Sequence, residues 1–450
     1  MNWWDDAFFY HIYPLGCCGA PHANDFSLAT RLRQLEPWLE HMRELGANAL
    51  LLGPVFQSET HGYDTTNYFM VDSRLGTGAD LAWLVKQAHL RGIRVVLDAV
   101  FNHVGRSFFA FRDVQEKGEQ SRFKDWFFLS FDSRSPLGDS FSYEPWRGHY
   151  ELVKLNTAHP EVRSHLFHAI SDWIAKYGID GVRLDSADCL DLAFQKDLVR
   201  HCKEQKPDFY CLGEVIHGDY NNWLNKGGLD SVTNYVLYKG LWSSHNDANY
   251  FELAYTCRRQ FEEESFPKKL YTFVDNHDVT RIADILKDRA HLYPLHILLF
   301  TLPGMPSVYY GSEHGIEGVK KKGESDWGLR PYLTVDSVRN SAREPGLYRV
   351  IAKLAALYAG YVCLRRGNFS TLHVAAQQYA FRRSYEQETA VVCVNAAKKR
   401  AKLTLSGVPD GHYVDVLSNE SIAVHKGILT TTLDPCWGKI LISAPVLKSS

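Results

Sequence analysis

An α/β fold, a (β/α)8 TIM barrel with an inserted subdomain after strand 3 and a C-terminal antiparallel β-sandwich domain, is predicted by three observations on this 450-residue sequence. Short apolar runs alternate with amphipathic stretches as far as about residue 360, and runs such as VVLDAVF are nearly continuous in their apolar residues rather than alternating, which suits parallel strands buried on both faces. One aromatic, irregular segment breaks that rhythm, and it is too long to be a structureless loop in a compact domain. Beyond it, near residue 368, the helical periodicity gives way to short β-rich runs separated by Gly, Pro and Asn-Ala.

Taken in order, the strands are expected at 7–12, 49–52, 95–101, 181–184, 209–212, 232–236, 270–274 and 307–310. Helices are expected at 28–45, with Asp25 as a cap, and at 80–90, 161–177, 191–203 and 251–261. Eight strand–helix alternations suit a closed barrel better than an open sheet. The barrel is assigned to 1–101 and 157–367, the inserted subdomain to 102–156, and the C-terminal β domain to 368–450. In that last segment the runs LHVAA, YAFRR, AVVCVN, AKLTLS, HYVDVL and KILISA read as its strands.

Composition excludes several classes. Hydrophobic residues at 45% and charged residues at 23% are an ordinary globular balance, which rules out disorder. Fifty Lys and Arg against 52 Asp and Glu leave a net charge of −2, without the basic footprint that nucleic-acid binding needs. The opening MNWWDDAFFYHIY is acidic and aromatic, unlike a signal peptide, and no stretch approaches the roughly 20 apolar residues of a membrane span. Nine cysteines with no CxxC spacing read as reduced thiols. A cytoplasmic protein with no nucleic-acid or membrane partner is therefore expected. Gly-rich phosphate loops are absent, and so are the HxH and HExxH pairs of a zinc hydrolase.

In such a barrel the active site lies at the carboxyl ends of the strands. Four polar clusters fall there: Asp98 to His103 in DAVFNH, Arg183 and Asp185 in GVRLD, Glu214 in GEV, and Asp275 to Asp278 in FVDNHD. Each alone has a structural explanation, a self-satisfying turn or an ion pair. Their conjunction at one barrel mouth is harder to explain, because buried charge is costly unless it serves a reaction. Two carboxylates across a small gap are what retaining glycoside hydrolysis requires. Arg183 beside Asp185 would keep that carboxylate ionised, whereas Glu214, with no arginine next to it in sequence, would stay protonated.

DAVFNH, GVRLD, GEV and FVDNHD, in this order and spacing, resemble the four signature regions of the α-amylase superfamily, glycoside hydrolase family 13. The resemblance implies Asp185 as nucleophile, Glu214 as general acid/base and Asp278 as transition-state stabiliser. It implies His103, Arg183 and His277 as ligands of the sugar at the cleavage subsite. Tyr63, in HGYDTTNYFMVDSRLGT, matches the aromatic stacked beneath that sugar. Asp326 and Arg330, in SDWGLRP, match the pair that holds the next glucose outward.

Two segments, FRDVQEKGEQSRFKDWF and VKLNTAHPEV, are similar to the cyclomaltodextrinase, neopullulanase and maltogenic amylase group. Lys154 stands where classical α-amylases place an acidic calcium ligand, so a structural calcium is disfavoured. Asp188 and Cys189 replace their Lys-His. The chain also departs from the suspected group, which carries an acidic residue at Cys189 and usually an extra β domain ahead of the barrel. A monomer or homodimer is expected. The implied activity is retaining hydrolysis of α-1,4-glucosidic bonds in maltooligosaccharides or cyclomaltodextrins, with transglycosylation as a side reaction and no metal or other cofactor. The alternatives are an α-1,6-glucosidase or glycosyl transferase of the same superfamily, or a non-catalytic sugar-binding barrel.

Overall fold

The computed structural model describes residues 2–263, 270–323 and 325–443. Eight parallel strands form its centre: β1 (Phe9–Ile12), β2 (Ala49–Leu52), β3 (Arg94–Ala99), β4 (Gly181–Leu184), β5 (Tyr210–Gly213), β6 (Ser231–Val232), β7 (Tyr271–Phe273) and β8 (Met305–Tyr309). Strands β1 to β6 pair in chain order, β7 pairs with β8, and β8 pairs with β1. A parallel bridge between Thr233 and Tyr271 joins the β6 side to β7 and completes the barrel.

The apolar runs are continuous because both faces are covered. Phe9, Leu51, Val96, Leu212, Phe273 and Met305 meet in one interior cluster, which Trp4 and Ala7 join from the chain start. Alternate residues such as Tyr10, Leu50, Val95 and Leu97 pack outward against the helices. Since side chains alternate along a strand, Asp98 stands inward two residues above Val96, and Glu214 two above Leu212. The apolar plug thus carries a polar layer on its carboxyl side.

Most elements lie within about two residues of expectation, and three differences stand out. The segment 232–236 is not one strand: β6 stops at Val232, and a helix, Tyr235–Asn246, begins where the Asn234 side chain accepts from the Leu237 amide at 2.9 Å. The strand expected at 95–101 ends at Ala99, and His103–Gly105 pairs elsewhere. The helix expected at 28–45 is a 3-10 turn, Arg31–Leu35, followed by the α-helix Glu36–Leu45 with Pro37 in its first turn. Asp25 does not cap it; its carboxylate accepts from the Ser27 amide at 2.9 Å, a local turn.

After β3 the chain enters the inserted region. His103–Gly105 pairs antiparallel with His149–Lys154, which also pairs with Pro145–Trp146, and the helix Phe109–Lys117 packs beside them. This places His103 and Trp146 at the barrel mouth. From Asn368 the chain forms a six-stranded antiparallel sheet and a two-stranded one, Ala401–Ser406 with Ile428–Leu433. Ala380, Val391, Cys393 and Leu441 face Leu403, Leu405, Leu429 and Leu433 across the sandwich. On the opposite face, Tyr379, Phe381, Val392, Val394, Ile440 and Ile442 belong to the same apolar cluster as the barrel's helices. No helix among the described residues is long and apolar enough to cross a membrane.

Candidate active site

Arg183, on β4, organises the polar layer. The pairing of β4 with β3 sets Arg183 level with Asp98, and its Nη1 donates to both Asp98 oxygens at 2.7 and 2.6 Å. The same nitrogen lies 3.3 Å from Asp185 Oδ1, while Nη2 lies 2.8 Å from Glu214 Oε1. One buried guanidinium therefore contacts three carboxylates from three strand ends. Nη1 thus serves Asp98 and Asp185, and Nη2 serves Glu214.

The turn after β4 fixes the two outer carboxylates. Ser186 has φ +47°, a left-handed conformation that L-residues adopt at a cost. In that conformation its amide donates to Glu214 Oε2 at 3.0 Å and its hydroxyl to Asp185 Oδ2 at 3.1 Å. Tyr235 adds a longer contact to Glu214 Oε1, 3.4 Å, and is itself held by the Asn276 amide at 3.0 Å.

Facing them is the segment after β7. His277 Nε2 is 3.0 Å from Asp278 Oδ2 and also meets the Tyr63 hydroxyl, whose ring stacks on the imidazole at 5.5 Å. Tyr63 donates to Asp98 at 2.9 Å, linking both halves of the layer. His103 is fully buried, with Nε2 unpartnered and 4.0 Å from Asp185 Oδ2. Arg330 donates to Asp278 Oδ1 at 2.9 Å and lies over the Tyr13 ring at 4.5 Å. Asp326 sits at the rim, 3.7 Å from Arg330 and 3.4 Å from Lys320. All nine residues singled out in the sequence thus lie in one connected cluster, Asp326 at its edge.

The electrostatics differ from the sequence reading in one respect. Glu214 does contact an arginine, and at shorter range than Asp185 does, because the register of β4 and β5 brings Arg183 against it. Burial first, and then the Glu214 charge, push the Asp185 carboxyl well above the usual carboxylate range, with Arg183 opposing them. The expected division, an Asp185 kept acidic by Arg183 and a Glu214 free of arginine, is not what the geometry builds. The pair instead shares one cation. At Asp278 burial is outweighed by His277, Arg330 and Arg183, which hold its carboxyl well below that range. Burial lowers the His103 imidazole to about 3, so it is neutral at physiological pH.

Residues absent from the sequence candidates also shape the site. Asp98 was visible as the first residue of DAVFNH, but nothing there disclosed that it takes two of Arg183's bonds. Ser186, Tyr13 and Tyr235 carried no sequence signal, since their roles depend on backbone conformation and distant pairing. Trp146, from the insertion, packs at 5.4 Å from His103, and Arg147 beside it pairs with Asp188 at 3.0 Å. Lys154, across from His103 in the inserted sheet, pairs with Glu144 and lies 5.3 Å from the Phe128 ring.

A barrel mouth with these carboxylates has known counterparts. Residues 32–349 match the model described as alpha amylase, catalytic domain. The chain belongs to the alpha-amylase family. Its activity class is glycoside hydrolase, as the names of its relatives indicate. Residues 369–437 match the maltogenic amylase C-terminal domain. "Neopullulanase 2" of Thermoactinomyces vulgaris is 35% identical over 414 residues, 90% of this chain and 69% of that protein. A "Cyclomaltodextrinase" of a Bacillus species is 32% identical over 440 residues, 91% of this chain and 76% of that one. Among solved structures, the cyclic alpha-maltosyl-(1→6)-maltose hydrolase from Arthrobacter globiformis superposes with a TM-score of 0.82 at 28% identity, covering 98% of this chain and 99% of that one.

Proposed function

We propose that this glycoside hydrolase cleaves α-1,4-glucosidic bonds in short maltooligosaccharides or cyclomaltodextrins with retention of configuration. The observation that carries the reading is the junction of Asp185 and Glu214 on Arg183, with Asp278 opposite. In the proposed reaction a carboxylate oxygen of Asp185 attacks the anomeric carbon as the bond to the leaving oxygen breaks, and the Glu214 carboxyl gives that oxygen its proton. Water then attacks the anomeric carbon, Glu214 takes the water's proton, and the Asp185 ester is released. A sugar hydroxyl in place of water gives transglycosylation. The reaction needs a protonated Glu214 and an ionised Asp185 when the sugar enters, and the Ser186 hydroxyl and Arg183 favour the ionised form of Asp185.

The other residues take roles consistent with their positions. Tyr63 offers a ring face at the cleavage subsite, and His103 and His277 offer nitrogen atoms to sugar hydroxyls. Asp326 and Arg330 line the adjoining rim. This chemistry uses no metal or organic cofactor. A cytoplasmic location is supported by nine cysteines that are all unpaired and by the name of a relative, the "Intracellular maltogenic amylase" of Bacillus subtilis, 33% identical over 305 residues. A monomer or homodimer is the assembly we assign.

The second reading, attack on α-1,6 bonds, is favoured by the likeness to the Arthrobacter hydrolase, whose named substrate contains such a bond. A product profile separates the two. Maltotriose, β-cyclodextrin, pullulan, isomaltose and starch are each incubated with the protein and with its Asp185→Asn variant. Fast conversion of maltotriose and β-cyclodextrin supports the α-1,4 reading, and preference for isomaltose overturns it in favour of α-1,6 cleavage.

A further inference from the structure

Away from the active site, three metal-ligating side chains meet behind the seam between β8 and β1. His41 comes from the helix Glu36–Leu45, and Glu313 and His314 from the 3-10 turn Ser312–His314 that follows β8. All three are buried. One ligand atom from each lies within 4.8 Å of the others, with Glu313 Oε1 2.8 Å from His41 Nε2 and 4.0 Å from His314 Nε2. A tetrahedral ion with bonds of about 2.0–2.1 Å sets its ligand atoms about 3.3 Å apart, a spacing these two separations bracket.

A second observation points to a ligand. Glu313 Oε2 and both ring nitrogens of His314 are buried without a hydrogen-bond partner. Buried polar atoms are seldom left so, because each keeps the cost of its lost hydration. The His314 ring is held flat against Tyr348 at 5.2 Å, and the same tyrosine faces His41 at 5.3 Å, so both imidazoles are fixed in orientation. Two further groups touch the cluster. The Tyr10 hydroxyl donates to Glu313 Oε1 at 2.8 Å, and Arg339 Nη2 lies 3.3 Å from His41 Nδ1. Arg339 has a carboxylate of its own, Glu44 at 2.6 Å.

We propose that His41, Glu313 and His314 form a site for a divalent transition ion of the Zn2+ class, with two imidazole nitrogens and one carboxylate as ligands and water as the fourth. The nitrogen donors select such an ion over calcium or magnesium, which take oxygen. Without metal, His41 donates from Nε2 to Glu313 while Nδ1 accepts from Arg339. On binding, that ring proton moves to Nδ1 and Nε2 turns to the ion; Nδ1 then no longer accepts from Arg339, whose bond to it is given up while its pairing with Glu44 remains. The ion would join the helix after β1 to the turn after β8, on the two sides of the seam.

The test is calorimetric titration of chelator-stripped protein with Zn2+, together with a thermal melt. The wild type is expected to bind one equivalent and to melt at a higher temperature with it. His314→Gln and His41→Gln are each expected to weaken that binding by more than the ~100-fold that loss of an outer partner costs. Glutamine at 41 still offers Glu313 a donor, so that variant is the safer one for folding, checked by circular dichroism. Cys436→Ser tests the other grouping of possible ligands, Asp288, His291 and Cys436, and is expected to leave the equivalent bound. Failure of the wild type to bind Zn2+, or an equivalent that survives both histidine variants, overturns the proposal.

Discussion

Arg183 stands closer to Glu214, at 2.8 Å, than to Asp185, at 3.3 Å, although Asp185 lies two residues away in the chain. The cation that a local reading assigns to one carboxylate is shared by both. Its grip on the pair is set by strand register, and it shapes what single substitutions will do.

Asp185→Asn should lower turnover of maltotriose by at least ~10^4-fold, as loss of a covalent nucleophile does, with the fold intact by circular dichroism. Glu214→Gln should behave differently across substrates. It should cost about 10^2- to 10^4-fold with maltotriose and far less with an aryl glucoside whose leaving group needs no proton. Equal losses on both substrates would remove Glu214 from the acid role.

The pH profile follows from the Asp185 environment. Turnover needs an ionised Asp185, and burial and Glu214 raise its carboxyl above the ordinary range. The acid limb of kcat/KM should therefore fall at a pH above about 3.9, the value of a free aspartate. Replacing Glu214 by Gln removes the largest charge opposing that ionisation, so the acid limb measured with an activated aryl glucoside should move to lower pH. A limb that stays in place or moves up would contradict the coupling.

Arg330 and Asp326, paired by sequence spacing, should separate in function. Arg330 donates to the Asp278 carboxylate at 2.9 Å, whereas Asp326 reaches the cluster through Arg330 and through Lys320, which donates to the Asp278 carbonyl at 2.8 Å. Arg330→Ala should thus reduce kcat on aryl glucosides and maltotriose alike. Asp326→Asn should raise KM for maltotriose and leave the aryl glucoside nearly unchanged. Kinetics of both variants on both substrates checks the split.

Asp180, just before β4, is a stability site. Its carboxylate takes His89 at 2.7 Å, Lys206 at 2.8 Å, Arg94 at 2.9 Å and the Val95 amide at 2.9 Å. Burial alone would raise its pKa, but these partners drive it well below the usual range. A carboxyl depressed in the folded state stabilises above its unfolded value, and that contribution is lost as pH falls through the folded one. Asp180→Asn should cost about 3 kcal/mol at pH 7 by urea unfolding and flatten the acid side of the stability profile.

The strand ends were legible because chemistry and periodicity coincide there: Asp98, Arg183, Asp185 and Glu214 each lie in or at the carboxyl end of an apolar run. Arg183's allegiance was not, since the pairing of β4 with β5 is a property of the closed sheet. The boundary at Asn234 was missed for another reason. SVTNYV has the composition of a strand, and only the side chain–amide bond of Asn234 turns it into a helix start. Asp25 misled in the opposite sense: a residue suited to capping bonds its own turn instead.

The C-terminal sheet turns Tyr379, Phe381, Val392 and Ile440 into the cluster that also holds the barrel's Leu295 and Ile297. Arg383, almost without exposure, donates across to the Thr301 carbonyl at 2.6 Å. The switch from helix to strand near Asn368 is therefore a change of secondary structure across a shared apolar cluster. A chain cut there would leave a greasy, donor-starved wall on the barrel, inviting aggregation before any loss of the catalytic groups. Calorimetry is expected to show both parts unfolding in a single transition through that shared cluster, in which case the tail guards chemistry it never touches; two separate transitions would contradict this.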